Sequence, residues 1–204
     1  MYTTHTNLII AFHGCDQSVV DTVITGKQPL TGSENAYDWL GHGIYFWENN
    51  YDRALKYAQD LKKNPKKSSK KVTNPAVIGA VIDLGYCLDL LEDKSLQLLK
   101  NSYEILKNFH EATGTKLPEN KLQEKNIPML RYLDCTIINF LNQYQKSNDG
   151  HEFDSVRGVF VEGGELYEGS GFNEKNHIQI CVRNPNCIKG YFIPRVEDPK
   201  FPRV

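Results

Sequence analysis

Several short apolar runs along the chain have the length and composition of β-strands. The run NLIIAFH (7–13) predicts a buried strand, and GIYFW (43–47) predicts a short aromatic one. The stretch VIGAVIDL (77–84) is rich in β-branched residues and uninterrupted, which favours a strand inside a sheet. Three further strand candidates lie late in the chain, at SVRGVFVE (155–162), HIQICVR (177–183) and CIKGYFI (187–193).

Two of the segments between these runs carry helix signals. Asp16 is placed to cap a short helix, QSVVDTVITG, which Gly26 closes. Asn49 or Asn50 is placed to cap a second helix, YDRALKYAQDLKK (51–63). We therefore expect a helix directly after each of the first two strands.

The middle of the chain has a different periodicity. In 93–113, and again in 127–145, apolar residues recur at spacings of three and four, which predicts two amphipathic helices. The order of strands, then helices, then strands predicts an α+β fold with a helical insertion at about 92–146. A chain of 204 residues has the size of one domain, so 1–204 is interpreted as a single unit. The sequence lacks the strand–helix alternation and the G-x-G-x-x-G turn of a Rossmann unit.

Composition and charge narrow the class of protein. The chain is 40% hydrophobic and 24% charged with a net charge of −1, so a general affinity for nucleic acid or anionic lipid is not indicated. No apolar run is long enough to cross a bilayer and the N-terminus is polar, so we expect a cytoplasmic protein without a membrane partner; export by a specialised secretion system stays open.

Five cysteines without a C-x-x-C pair favour reduced, mostly buried thiols, and no metal site is expected. The sequence does not indicate an oligomeric state.

Three places carry candidate chemistry. In HIQICVR, alternation puts His177, Gln179 and Cys181 on one face of the strand, which fits a cleft or a solvated sheet face. Tyr45 follows Gly43, and an aromatic ring beside a glycine either stacks a planar ligand or packs in the core. His13 and Gly14 end the first strand, where they either offer a ring N–H and a backbone amide to a ligand or complete the strand.

The order of these places along the chain is more specific than any one of them. The segments are FHG (12–14), GHGIYF (41–46), RALKYA (53–58), VIGAVIDLG (77–85) and GSGFNEKNHIQI (169–180). Together they resemble the catalytic domain of the ADP-ribosyltransferases related to poly(ADP-ribose) polymerases and diphtheria toxin, the branch with a His-Tyr-Glu triad. The resemblance covers roughly 7–90 and 156–193, and it implies a split antiparallel β core to which the helical insertion is added.

The resemblance implies a role for each matching residue. His13 matches the histidine that hydrogen-bonds the adenosine ribose of NAD, and Gly14 matches the glycine that holds the nicotinamide carboxamide. Tyr45 and Tyr57 match two tyrosines that sandwich the nicotinamide ring. The residues themselves suggest a further part for Gly43, near Tyr45, because a glycine allows either a ligand or another backbone segment to approach closely.

The sequence departs from the family at the third triad position. HIQICV has no glutamate, and face alternation makes Gln179 the candidate there, with His177 as the second choice. Ala54 stands where the family often has a serine that contacts the carboxamide. Because Gln179 is a neutral dipole, a nearby carboxylate is expected to compensate. Glu162, at the end of a predicted strand, is preferred, although it and two other loop acids, Glu165 and Glu168, also fit solvated positions.

The resemblance implies an NAD-dependent mono-ADP-ribosyltransferase, because members without the glutamate generally attach single units. NAD is then a co-substrate, nicotinamide is released, and the acceptor is an unidentified protein or nucleic acid. Two alternatives stay open: an NAD glycohydrolase, and a catalytically inactive module that binds NAD or ADP-ribose. The presence of His13, both tyrosines and both glycines argues against the inactive module.

Overall fold

A computed structural model describes residues 8–65, 71–122 and 128–202 of the chain. Four helices belong to this part: α1 (Gln17–Ile24), α2 (Tyr51–Lys63), α3 (Asp93–Thr113) and α4 (Tyr132–Asp149). Its nine strands are β1 (Ile9–Asp16), β2 (Ile44–Glu48), β3 (Pro75–Ile82), β4 (Cys87–Asp89), β5 (Lys121–Leu122), β6 (Pro128–Leu130), β7 (Ser155–Phe160), β8 (His177–Val182) and β9 (Ile188–Phe192). All six predicted strands and all four predicted helices are present.

Seven strands form one mixed sheet in the order β4-β7-β8-β2-β1-β3-β9. The pairs within it are antiparallel except for β4 and β7, which are parallel. The short strands β5 and β6 make a separate antiparallel pair. The α+β class is therefore confirmed, whereas β4, β5 and β6 were not predicted.

Side-chain capping fixes the starts of α1 and α2. The carboxylate of Asp16 accepts hydrogen bonds from the Ser18 amide at the first turn of α1, and from the amides of Thr73 and Asn74 just before β3. Asn50 caps α2 by accepting a hydrogen bond from the amide of Arg53. Both caps agree with the sequence patterns, and Asp16 also ties the end of β1 to the segment that enters β3.

The sheet is covered by helices on both faces. One face, under α1, holds the largest group of buried apolar side chains, including Ala11, Phe46, Ile78 and Ile180. The other face carries Trp47 under α2, in contact with Ala54 and Val77.

The helical block covers the other end of the α2 face. Ile138 and Leu141 of α4 pack there against Leu40, Val156 and Cys181, while α3 contacts α4. None of the described helices combines the length and apolar character that crossing a membrane requires. The five cysteines are free thiols, and all except Cys87 are buried.

Candidate active site

The sheet opens between β1 and β2. β1 pairs with β3 along its whole length, from Ile9 to Asp16, but its pairing with β2 runs only as far as Phe12 opposite Trp47. Just past this point, Nδ1 of His13 lies 2.7 Å from the carbonyl oxygen of Tyr45 on β2. Because a carbonyl oxygen only accepts, Nδ1 donates the hydrogen. His13 therefore bridges the two strands where they begin to separate.

Gly14 allows α2 to lie directly on β1. A Cβ atom on residue 14 would overlap the carbonyl oxygen of Ala54 in α2. Since Tyr57 is one helical turn further along α2, this close approach also sets the height of its ring above the sheet. Gly43 permits a second close approach, because a Cβ there would lie 2.6 Å from Sγ of Cys181.

Tyr45 is held firmly by its hydroxyl group. The hydroxyl donates to the carbonyl oxygen of Gly41 at 2.7 Å and accepts from the amide of Leu40 at 2.8 Å. Burial raises the pKa of Tyr45 well above its usual value. The phenol therefore stays neutral, and the ring itself is half-buried.

Tyr57 lies on the same side of the sheet as Tyr45 but is more open. Its ring centroid is 4.9 Å from that of Trp47, and 38% of the residue is exposed. Burial of the hydroxyl end raises the pKa of Tyr57 as well. The structure thus brings two neutral phenol rings to one face, with Trp47 packed against the outer one.

Gln179 and His177 share this face on β8. Gln179 pairs with Trp47 on one side and Gly158 on the other, and the side chain is half-buried. Within the described part of the chain, its amide group makes no side-chain hydrogen bond. His177 is fully buried, with Nδ1 2.6 Å from the carbonyl oxygen of Lys175. The face alternation expected from the sequence is confirmed for both residues.

Glu162 lies next to His177. Its Oε2 is 2.6 Å from Nη2 of Arg53 on α2 and 4.0 Å from Nδ1 of His177. Glu165 and Glu168 are exposed. Of the three loop acids, Glu162 is therefore the one that the structure places at the site, but Arg53 offsets much of its charge.

His13 faces a cavity on the α1 side of the sheet. The cavity has a volume of about 320 Å³ and is lined by His13, Cys15, Ser18, Gln28, Leu30 and Thr31, among others. Tyr45 and Gln179 do not line it. The imidazole of His13 packs edge-on against Phe46, whereas Gln179 pairs with Trp47 on the other face. The structure therefore places His13 on the opposite face of the sheet from Tyr45 and Gln179, so a dinucleotide in contact with all three would have to cross between β1 and β2 where their pairing ends.

The sequence did not single out the basic and indole side chains around Glu162. Among the described residues, four buried side-chain nitrogens lack a hydrogen-bond partner: Trp47 Nε1, Arg53 Nε, Arg131 Nε and His177 Nε2. Arg131 lies over the rings of Trp39 and Phe160, at 4.3 and 5.0 Å from their centroids, and burial lowers its pKa. Of these residues, only Arg53 could have been identified from the sequence. It precedes Tyr57 by four residues on a predicted helix, so the two side chains lie on the same helix face.

A larger cavity, of about 540 Å³, lies at the opposite end of β7 and β8. Tyr86, Lys146, Asp154 and Arg183 contribute to its walls, and none of the predicted site residues does. Its walls carry charges of both signs. The aromatic rings of the candidate site and the four buried nitrogens without a hydrogen-bond partner do not line this cavity. They lie towards the other end of β7 and β8.

Comparison with known proteins adds one relative. The chain is 26% identical over 194 residues to the uncharacterized protein MJ0359 of Methanocaldococcus jannaschii, a match that covers 87% of this chain and 83% of the relative. No protein-family model matches the sequence. No solved structure matches it either. The name of the archaeal protein gives no activity, so the functional argument rests on the site.

Proposed function

We propose that the protein is an NAD-dependent mono-ADP-ribosyltransferase, which transfers ADP-ribose from NAD to a macromolecular acceptor and releases nicotinamide. The opening between β1 and β2 carries this proposal. His13 stands at that opening with a cavity on one side, and Tyr45 and Tyr57 lie on the other side. An elongated dinucleotide with a different group at each end fits such a two-sided site.

In the proposed complex the adenosine ribose lies against His13. The neighbouring cavity of about 320 Å³ falls within the range of about 300–1,000 Å³ that is usual for small-molecule sites. The nicotinamide end lies on the other face, between Tyr45 and Tyr57. The proposal includes the split antiparallel core of the ADP-ribosyltransferases as the fold, and the sheet order supports it, with β1, β3 and β9 on one side of the opening and β2, β8, β7 and β4 on the other.

The two tyrosines suit the charge of the nicotinamide ring. In NAD this ring is cationic, and the faces of neutral phenol rings attract a cation. Because the ring becomes neutral when the glycosidic bond breaks, this attraction favours the bound substrate over the departing nicotinamide. The tyrosines therefore contribute mainly to binding and orientation, and other groups must stabilise the transition state.

The developing positive charge on the ribose needs a negative or dipolar neighbour. Gln179 offers the oxygen of an amide, and Glu162 offers a carboxylate that Arg53 partly offsets. An amide oxygen and a partly offset carboxylate stabilise this charge less than a free glutamate at the ribose would. We therefore expect turnover that is slow but measurable, because one missing electrostatic stabiliser costs about 3–4 kcal/mol of barrier.

The test is to incubate the purified protein with NAD labelled in the adenylate portion, with and without a cell lysate. Release of nicotinamide together with label on a macromolecule, or on the protein itself, supports the transferase. Free ADP-ribose as the sole labelled product identifies an NAD glycohydrolase. Tight binding of NAD by calorimetry without any release of nicotinamide identifies a binding module, and absence of both binding and release rejects the proposal.

A further inference from the structure

The imidazole of His177 is held in one tautomer. Nδ1 lies 2.6 Å from the carbonyl oxygen of Lys175, which can only accept, so Nδ1 carries the hydrogen. In the neutral ring, Nε2 then has a free lone pair, and this atom has no partner among the described residues. The side chain is fully buried. A buried acceptor with a fixed tautomer and no partner is costly unless a ligand uses it.

The surroundings of the ring combine a stabilising carboxylate with apolar walls. Oε2 of Glu162 lies 4.0 Å from Nδ1, and Arg53 of α2 holds that carboxylate at 2.6 Å. The aromatic neighbours are Trp47 of β2 and Phe160 of β7, with centroids 6.4 and 5.8 Å from that of the imidazole. Burial lowers the pKa of His177, so the ring is neutral near pH 7.

We propose that His177 is the general base of the reaction and that the acceptor is a hydroxyl group. This inference rests on the proposed transferase activity. The bond from the anomeric carbon to the nicotinamide nitrogen breaks, and its electron pair leaves with nicotinamide, which becomes neutral. The acceptor oxygen forms the new bond to the anomeric carbon while its proton moves to Nε2. Glu162 stabilises the imidazolium until the proton passes to solvent.

A general base at the site indicates an acceptor that still carries its proton near neutral pH. A carboxylate acceptor is already deprotonated near neutral pH and needs no base. A hydroxyl group keeps its proton until the transition state, and a neutral imidazole is suited to take it. Gln179 cannot take a proton, because an amide is not a base at this pH. The carboxylate of Glu162 is held by Arg53 at 2.6 Å, which leaves Nε2 of His177 as the buried acceptor without a partner among the described residues.

The position of His177 also fits this role. Burial keeps the ring neutral in the free protein, and an acceptor hydroxyl, whether of water or of a macromolecule, reaches Nε2 when the side chains that cover the ring move aside. The ring of Trp47 lies next to both His177 and Tyr57, the outer tyrosine of the proposed nicotinamide site. The base therefore lies one aromatic ring away from the leaving group.

The decisive variant is His177→Asn, which keeps an N–H near the position of Nδ1 and removes the base. With NAD and water as the acceptor, we expect kcat for nicotinamide release to fall by about 100-fold or more. The Kd for NAD from calorimetry should stay within about threefold. A matched control is His151→Asn, the same change at an exposed histidine before β7, which should leave kcat unchanged.

The pH profile separates a base from a structural residue. The kcat of the wild-type protein should decline as the pH falls below the ordinary histidine value of about 6.5, with the midpoint set by His177. The charged groups that face the ring are Glu162 and Arg53, and Trp47 and Phe160 are uncharged. This decline should be missing from the residual activity of His177→Asn.

Two results would overturn the role of His177 while leaving the transferase intact: a His177→Asn variant with kcat within about threefold of wild type, or a wild-type profile that is flat from about pH 4.5 to 6.5. The wild-type profile also decides the matter if the variant does not fold. If the wild-type protein releases no nicotinamide at any pH, the proposed function itself fails, and the role of His177 fails with it.

Discussion

Nη2 of Arg53 lies 2.6 Å from Oε2 of Glu162, and this pair joins α2 to the segment between β7 and β8. The side chains are only 12% and 22% exposed. The ion pair therefore holds together two parts of the proposed site that are 109 residues apart in sequence. It also sets how much negative charge Glu162 presents to its surroundings.

Breaking this pair on one side should destabilise the protein. Arg53→Met leaves the Glu162 carboxylate without its partner in a poorly solvated position, and we expect a loss of about 1–3 kcal/mol in the free energy of unfolding. Adding Glu162→Gln should restore part of that loss, because no unpaired charge remains. Urea unfolding of the two single variants and the double variant measures this coupling.

A surface ion pair provides the control. Lys107 and Glu111 of α3 are 3.9 Å apart and 44% and 65% exposed, so Lys107→Ala should change stability by less than about 1 kcal/mol. Equal losses at the buried and exposed pairs, or additive effects of Arg53→Met and Glu162→Gln, would contradict the interpretation of Arg53 and Glu162 as a coupled pair.

Gly14→Ala should damage the contact between α2 and β1. The new methyl group would overlap the backbone of Ala54, which cannot move without shifting the helix. We expect a loss of about 1–3 kcal/mol in stability and weaker NAD binding, because Tyr57 moves with α2. Gly164→Ala is the matched control, since a Cβ at that position meets nothing within 4 Å. Thermal unfolding and calorimetry of both variants test this, and equal stability of the two would refute it.

Much of the fold follows from local patterns in the sequence. The alternation in HIQICVR predicted that His177, Gln179 and Cys181 share a face of their strand, which is confirmed, and the register of β2 against β8 adds Tyr45 to that face. The caps at Asp16 and Asn50 were also predicted, because a side chain that binds amides two or three residues away leaves a local signature.

Other features depend on contacts that no local pattern encodes. β4 and β6 have three residues each and β5 has two, which is too short for a periodicity to be recognised. The stacking of Arg131 on Trp39 depends on how α4 meets the sheet. The partner of Glu162 could not be predicted either, because the sequence offered three acids and many cations.

Asp16 should make stability depend on pH. Hydrogen bonds from the amides of Asn74 and Ser18 hold the pKa of its carboxyl group far below the usual range. Because the pKa of Asp16 is lower in the folded state than in the unfolded state, the ionised carboxylate stabilises the folded protein. The contribution is therefore complete above the unfolded value of about 3.9 and declines as the pH falls further, towards the folded value.

The variant Asp16→Ala removes this contribution to the free energy of unfolding, so its size can be measured. At pH 7 we expect a loss of about 1–2 kcal/mol, from the missing helix cap and the lost contacts before β3. The difference from wild type should shrink as the pH is lowered from about 4 to 2.5. Urea unfolding across this range measures it, with Glu104→Ala, at an exposed position of α3, as a control. A difference that is constant with pH would show that the charge of Asp16 does not matter.

Tyr57 should contribute to NAD binding through its ring and not through its hydroxyl. The ring is partly exposed beside Trp47, where one face is available to a planar ligand. Tyr57→Phe keeps that face, so the Kd for NAD should stay within about threefold, whereas Tyr57→Ala should raise it by about tenfold. Calorimetry measures both, with Tyr144→Ala on α4 as a control for loss of an exposed tyrosine. If Tyr57→Ala binds NAD as tightly as wild type, the nicotinamide ring does not stack on Tyr57, and the proposed position of the leaving group is wrong.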